Sequence, residues 1–253
     1  MEQLVRGAQE LGIPLKEGQV ALFRTYYAEL VEWNQRFNLT AITDYEGVQV
    51  RHFLDSLSCL LALSQTELQA GARMIDVGSG AGFPGIPLRI LCPGLRLTLL
   101  EATQKKAEFL RHLLQKLHLA DVAVVNGRAE EVSRQPEHRE QYDWALARAV
   151  AETPTLVEYL LPFVRVGGTA LAQKGEGGPA EVNAAEPAIR ILGGQLRRLV
   201  SVGLRGLAET RYLVMVDKVA ATPDKYPRRP GMPARRPLGA EERRSRGAEE
   251  RRR

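Results

Sequence analysis

Residues 74–88 read MIDVGSGAGFPGIPL, a segment whose residue types and spacing suit cofactor binding. An apolar run ends in Asp76, and Gly78, Gly80 and Gly82 follow at alternate positions. Glycines spaced this way let the chain turn tightly after a strand and approach a ligand closely, because no Cβ intervenes. An acidic residue at the strand tip suits a nucleoside carrying amino or hydroxyl groups. The pattern is ambiguous, since Gly80, Gly82 and Gly85 also spell the dinucleotide fingerprint G-x-G-x-x-G. A Gly-rich structural turn with no ligand is a third reading. Two details favour a cofactor without phosphates. Asp76 precedes the glycines, and Pro84 and Pro87 stand where a pyrophosphate-cradling helix would begin, each removing an N–H. S-adenosylmethionine is the obvious such cofactor.

Further groups sit where later strands should end. Glu101 closes one apolar run, and its carboxylate can accept both ribose hydroxyls of an adenosine. Ala102 and Thr103 would frame the sugar, with Thr103 as the N-cap of the next helix. Glu101 as an ordinary charge at a helix start is the alternative. In NGRAEE (126–131), Ala129 and Glu130 can hold the adenine edge. The next tip is Arg148-Ala149-Val150-Ala151, with no Asn- or Asp-Pro-Pro-aromatic loop of the kind used on exocyclic amines. Neither Cys59 nor Cys92 is placed as the nucleophile that cytosine C5 chemistry requires. A site with Arg148 but neither base nor thiolate suits guanine N7, whose lone pair needs no deprotonation, so that catalysis reduces to alignment. Arg148 as a surface or salt-bridge arginine is the competing reading.

The elements that must position these groups fall into three stretches. Residues 1–70 form a helical N-terminal extension: Leu15 to Trp33 has helix-compatible spacing, 34–47 is a polar loop, and 48–63 carries apolar residues at i, i+3 and i+4. From about 71 to 220 strands alternate with amphipathic helices, the clearest helix being 104–119. Strands are expected at 72–77, 95–101, 122–126, 142–148 and 168–174, then at 195–204 and 209–218 joined as a hairpin. Parallel strands plus a C-terminal antiparallel hairpin make a Rossmann-like S-adenosylmethionine-dependent methyltransferase sheet in an α/β chain. A dehydrogenase more often completes a second parallel half. Residues 221–253 are rich in Pro and Arg, with GAEERR at 239–244 and 247–252, and are expected to be a disordered or frayed solvated tail.

Composition narrows the class. At 44% hydrophobic and 26% charged over 253 residues, the chain can bury one main core with an appended piece. No apolar run approaches the roughly 20 residues needed to span a bilayer, and the N-terminus lacks the halves of a signal peptide, so a cytoplasmic protein is expected. Two cysteines without partner spacing argue against a disulfide framework or a zinc site, and the sequon at Asn38 is a chance match. The basic character has one source. Residues 228–253 hold ten Arg and four Glu, a net of +6 against +5 for the whole chain. A basic tail attracts nucleic acid, so a non-catalytic RNA- or ribosome-binding module stands as a rival reading.

The combination of NQRFNLT (34–40), RHFLDS (51–56), DVGSGAGFPGIPL, GRAE (127–130), RAVA (148–151), QKG (173–175) and TRY (210–212) resembles the glucose-inhibited division protein B family, bacterial small-subunit ribosomal RNA guanine-N7 methyltransferases. The resemblance covers about residues 20–219, and the segment after Lys218 departs from the pattern. It implies S-adenosylmethionine held around Gly78, Phe83, Glu101 to Thr103, Ala129, Glu130 and Arg148; Asp76 and Gly80 join these as cofactor contacts from the loop reading above, and no metal is expected. It also implies a guanosine substrate in 16S ribosomal RNA near the decoding site, presented in a small-subunit particle, with no obligate protein partner. Asn34, Asn38, Arg51, His52 and Asp55 would then line the guanosine pocket from the N-terminal part, and Arg128 joins them as a substrate contact. Lys174 and Arg211, at the ends of two strands, suit phosphate contacts. His52 and Asp55, three apart, can equally be a buried pair locking helix to sheet.

Overall fold

The computed structural model describes residues 1–239. Seven strands form one sheet: β1 Arg73–Val77, β2 Arg96–Glu101, β3 Val122–Asn126, β4 Tyr142–Arg148, β5 Val164–Lys174, β6 Gly194–Val202 and β7 Arg211–Lys218. Their spatial order is β3-β2-β1-β4-β5-β7-β6. The first five run parallel, and β7 inserts antiparallel between β5 and β6. The strand runs and final hairpin expected from the sequence are present. β5 begins four residues earlier than expected, through a register shift between Tyr142 and Trp144 on its partner. The residue pattern matches position. β4, covered on both faces, is almost continuously buried, whereas the edge strand β3 alternates between half-buried and exposed.

Helices cover both faces. On one side lie α1 Glu2–Glu10, α2 Glu17–Asn34, α3 Tyr45–Gly47, α4 Asp55–Leu57, α5 Gln65–Gln69, α6 Gly85–Leu91 and α7 Gln104–Lys116. The other face carries α8 Ala129–Val132, α9 Thr153–Leu160, α10 Gly178–Ile191 and α11 Met232–Arg235. α2 buries Phe23, Tyr26 and Leu30, spaced three and four apart so that they share a stripe. This stripe packs into the same apolar core as Leu99 and Phe109, so the N-terminal helices complete the sheet's own core. The second core, around Ile75, Ala145, Phe163 and Val214, lies across the sheet.

Two expectations are corrected. The stretch 48–63 is not an amphipathic α-helix: Val48–Leu54 is π-helical, α4 follows, and Ser58–Leu61 is a 3₁₀ turn. From Val48 to Leu60 every side chain but that of Arg51 is buried, so the segment is an internal wedge. A π-turn of this kind re-aims side chains and is common at functional sites. The second correction concerns the tail. Residues 221–239 are not loose but lie along the α8–α10 face, with Tyr226, Pro227 and Pro233 buried. The driving force is polar: Arg134 and Arg139 donate to carbonyls of Thr222, Asp224, Lys225, Tyr226 and Pro227. Arg228 donates to the fully buried carboxylate of Glu158 at 2.6 Å. The expectation for the remainder of the tail falls outside the described residues.

Candidate active site

The strand order reverses at β1, which lies between β2 and β4, so the carboxyl ends of these strands open a crevice. Asp76, Glu101, the GRAE turn and Arg148 all arrive there, as expected from their places at strand ends.

The glycine loop is held from both sides. Gly78 has φ +72°, a left-handed conformation, and a Cβ on it would lie 2.7 Å from Val150 Cγ2 in the Arg148–Ala151 loop. Only glycine allows β1's exit to pass so close beneath the β4 tip. Ala149 is also left-handed, at φ +55°, in that same loop. Lys174 Nζ holds the loop from β5 by donating to Ala151 O at 2.7 Å, and it pairs with Glu181 at 2.6 Å. Lys174, expected to meet phosphate, therefore anchors the loop instead.

Two carboxylates shape the cofactor side. Glu101 is buried, accepting from Gly80 N at 2.9 Å and Thr103 N at 2.7 Å. Each oxygen retains a lone pair for a diol. Ala102 and Thr103 are exposed beside it; Thr103 stands at the N-cap of α7, but its side chain makes no capping bond. Asp76 is fully buried, with Oδ2 accepting from Gly85 N at 2.9 Å and Oδ1 unpartnered. Burial pushes its carboxyl up to about 7. The Asp76 bond also weighs against the dinucleotide reading. The first N–H of α6 is given to Asp76, and Pro84 and Pro87 have none to offer.

Phe83 offers no free ring. It stacks on Tyr26 (centroids 5.2 Å) and on His52 (4.6 Å), with Arg148 Cζ 5.0 Å from its centre. Tyr26 Oη donates to Ala81 O at 2.6 Å, tying α2 to the glycine loop. Sequence reasoning passed over Tyr26 because it reads as one more core aromatic on a helix stripe.

On the opposite side of Arg148 a cavity of about 400 Å³ opens, lined by Arg51, His52, Asp55, Gln173, Lys174 and Arg211 among others. Asp55 is its hub. Oδ2 accepts from Arg148 Nη1 at 2.9 Å, and Oδ1 accepts from Arg211 Nε at 3.1 Å and Gln173 Nε2 at 3.0 Å. His52 and Asp55 do not bond to each other, and the buried-pair reading fails in that form. Both face Arg148 instead, His52 Nδ1 lying 3.4 Å from Nη2. His52 Nε2 lies 2.8 Å from Thr40 Oγ1. Burial, then the Arg148 charge, lowers the His52 imidazole to about 4. Arg211 also pairs with Glu209, so it too is engaged rather than free for phosphate. Gln173 was quoted only within a motif, yet it bridges the Asp55 and Ser58 positions to β5.

The remaining expected contacts divide. Asn34 Oδ1 accepts from Leu39 N and Thr40 N, shaping the 34–40 loop that carries Thr40 to His52, so its oxygen is structural. Asn38 and Arg128 are exposed. Ala129 is half-buried at the start of α8. Glu130 is buried, and its Oε1 accepts from Gly231 N at 2.9 Å, so the carboxylate expected at the adenine edge is partly engaged by the C-terminal segment. Cys59 is buried with its thiol pushed well up by burial, and burial raises Cys92 to about 11, so neither supplies a thiolate. Among the described residues no cluster of His, Cys, Asp and Glu suits a metal ion. No described helix is long and apolar enough to cross a membrane.

Comparison with known proteins agrees with this geometry. An O-methyltransferase from Bacillus cereus, solved in complex with S-adenosylhomocysteine (SAH), has the same fold: TM-score 0.55, 20% identity, covering 85% of this chain and 97% of that one. The ribosomal RNA small subunit methyltransferase G of Roseiflexus castenholzii is 52% identical over 238 residues, 94% of this chain and all of that protein. Its counterpart in Alkaliphilus metalliredigens is 48% identical over 232 residues, 92% of this chain and 96% of that protein. A 238-residue match leaves at most 15 of 253 residues outside it, so residues 219–238 fall within the relatives' pattern. The family model described as GidB, rRNA small subunit methyltransferase G, matches residues 19–209, and the chain belongs to that family.

Proposed function

We propose that this chain transfers the methyl group of S-adenosylmethionine to N7 of a guanosine in 16S ribosomal RNA, presented in a small-subunit particle. The observation that carries the reading is the state of the groups around Arg148. Both oxygens of Asp55 are engaged by guanidinium groups, His52 is a very weak base, and the buried cysteines carry no thiolate. Nothing there is prepared to take a proton from an amine or to attack a ring carbon. Guanine N7 needs neither, because its lone pair is free to attack.

The crevice fits the cofactor. Left-handed Gly78 and Gly80 leave the loop without side chains at those two positions, and the buried carboxylate of Glu101 faces the exposed Ala102–Thr103 turn. Gly78, Gly80, Glu101 to Thr103, Ala129 and the backbone at Phe83 would hold it, with Asp76 bracing the loop from beneath. When bound, the sulfonium supplies the electrophilic methyl. This chain's residues do the rest. Arg148, clamped by Asp55 and resting on Phe83, stands between the crevice and the cavity and positions both partners. A donor to guanine O6 would orient the base, while a donor to N7 would occupy the attacking lone pair. Arg51, exposed at the cavity mouth, suits a phosphate. The rate gain comes from alignment and from fixed charge in a site half closed to water.

The test is to incubate the protein with labelled S-adenosylmethionine and small-subunit particles lacking the modification, then map the methyl group by mass spectrometry. Label at N7 of one guanosine is the expected result. Label on an exocyclic nitrogen, or none on RNA while SAH still binds, overturns the reading.

A further inference from the structure

The C-terminal segment has a property that the reaction does not explain. Residues 228–239 contain four Arg and no acidic residue. Among the described residues only Arg228 finds a carboxylate, that of Glu158. Arg229, Arg235 and Arg236 are exposed and have no carboxylate partner among the described residues. Unpaired arginines are commonplace on loose tails, but this segment is bolted down. Arg134 and Arg139 grip its backbone before residue 228, and Gly231 N donates to Glu130. Thr155 Oγ1 donates to Pro233 O at 3.2 Å.

These anchors also fix where the three cations lie. Glu130 stands in the first turn of α8, which begins beyond the carboxyl end of β3, and Thr155 stands in the first turn of α9, which begins beyond that of β4. A segment bonded to both lies on the rim of the crevice. Gly231, at φ +80°, supplies the left-handed turn that aims its N–H at Glu130 and starts α11, which carries Arg235. The rim beside Glu130 thus holds three guanidinium groups on a fixed backbone, with no carboxylate partner among the described residues.

We propose that residues 228–236 form a phosphate-contacting platform, on which the ribosomal RNA backbone flanking the target nucleotide rests. The inference builds on the methyltransferase reading and adds a surface to it. Guanidinium groups on a fixed base match the spaced phosphates of a structured RNA, and docking them releases counterions without ordering a tail.

The full-length triple variant Arg229→Gln/Arg235→Gln/Arg236→Gln tests the platform. It should bind SAH and melt like the wild type, since none of the three side chains has a carboxylate partner among the described residues. Its binding to small-subunit particles should weaken by about 10- to 100-fold at about 0.15 M salt. The slope of log K against log salt should become shallower by about 2 to 3. A charge-matched triple at the opposite end of the sheet, Arg73→Gln/Arg96→Gln/Arg165→Gln, should change that slope by less than about 1. Equal losses in the two triples would mean that net charge acts rather than a platform, and wild-type particle binding by the first triple would overturn the platform alone. Failure of the wild-type chain to bind particles, with SAH binding intact, would instead overturn the methyltransferase reading on which the platform rests.

Discussion

Replacing Arg148 by lysine keeps the positive charge and removes the planar fork, which makes it the sharpest probe of positioning. Arg148 Nη1 donates both to Asp55 at 2.9 Å and to Arg51 O at 3.1 Å, Nη2 approaches His52, and the guanidinium lies 5.0 Å from the Phe83 ring centre. A lysine ammonium can retain the Asp55 pair but not the other contacts together. Hydrogen bonds from a charged donor contribute about 1.5–3 kcal/mol and a cation–π contact about 0.5–1 kcal/mol. The side chain is only 14% exposed, so solvent screens little of this. The loss comes to about 2–4 kcal/mol, and if it falls wholly on the transition state the rate drops by about 30- to 1,000-fold. The assay is the single-turnover rate on small-subunit particles at saturating S-adenosylmethionine, with SAH affinity measured by calorimetry to separate cofactor loss from misalignment. A lysine variant within about threefold of wild type in both measurements would refute the claim that the fork positions the reactants.

Four further outcomes follow from the same geometry. Because His52 is neutral above about 4, the single-turnover rate at saturating cofactor should be nearly flat above the Asp76 titration near 7, up to about pH 9; a tenfold rise per pH unit there in folded protein would reveal a required base. Asp76 is raised from 3.8 to about 7 by burial, so its contribution to stability is complete below the unfolded value and is lost as pH rises through about 7. Asp76→Asn removes that titration, and its Tm relative to wild type should climb between about pH 4 and 7 and level off above, a difference that stays constant being the contrary result. Gly78→Val forces a β-branched side chain into a left-handed backbone and against Val150, and should abolish SAH binding; normal affinity in folded protein would take the loop out of the site. Cutting the chain at 228 removes the Arg228–Glu158 and Gly231–Glu130 bonds and should lower Tm by several degrees, which thermal melts would check; an unchanged Tm would show that these bonds do not hold the segment.

The sequence alone was enough to locate the crevice. Strand tips are written locally: an apolar run buried on two faces, then glycines or a carboxylate, marks where a parallel strand ends. In a doubly wound sheet all such ends face the same way, so Asp76, Gly78, Glu101 and Arg148 could be assigned to one site before any packing was known. That the β4 tip itself carries no base or thiolate was equally legible, because it depends on residue types at one tip; that Asp55 and His52 stand beside Arg148, already engaged, was not. Tertiary structure decided the pairings. Asp55 meets Arg148 across 93 residues of sequence, and Glu130 meets Gly231 across 101. Strand order and the π-turn at Val48–Leu54, neither visible as periodicity, select which cation reaches which carboxylate. Lys174 looked free for phosphate until Glu181 and Ala151 O stood beside it. The tail misled for a related reason. Its composition offers little to bury, and composition reports the hydrophobic driving force. Residues 221–239 dock instead through Arg134, Arg139 and the buried carboxylates of Glu130 and Glu158, which bond to the segment's backbone, a polar attachment that only the folded partner surface creates.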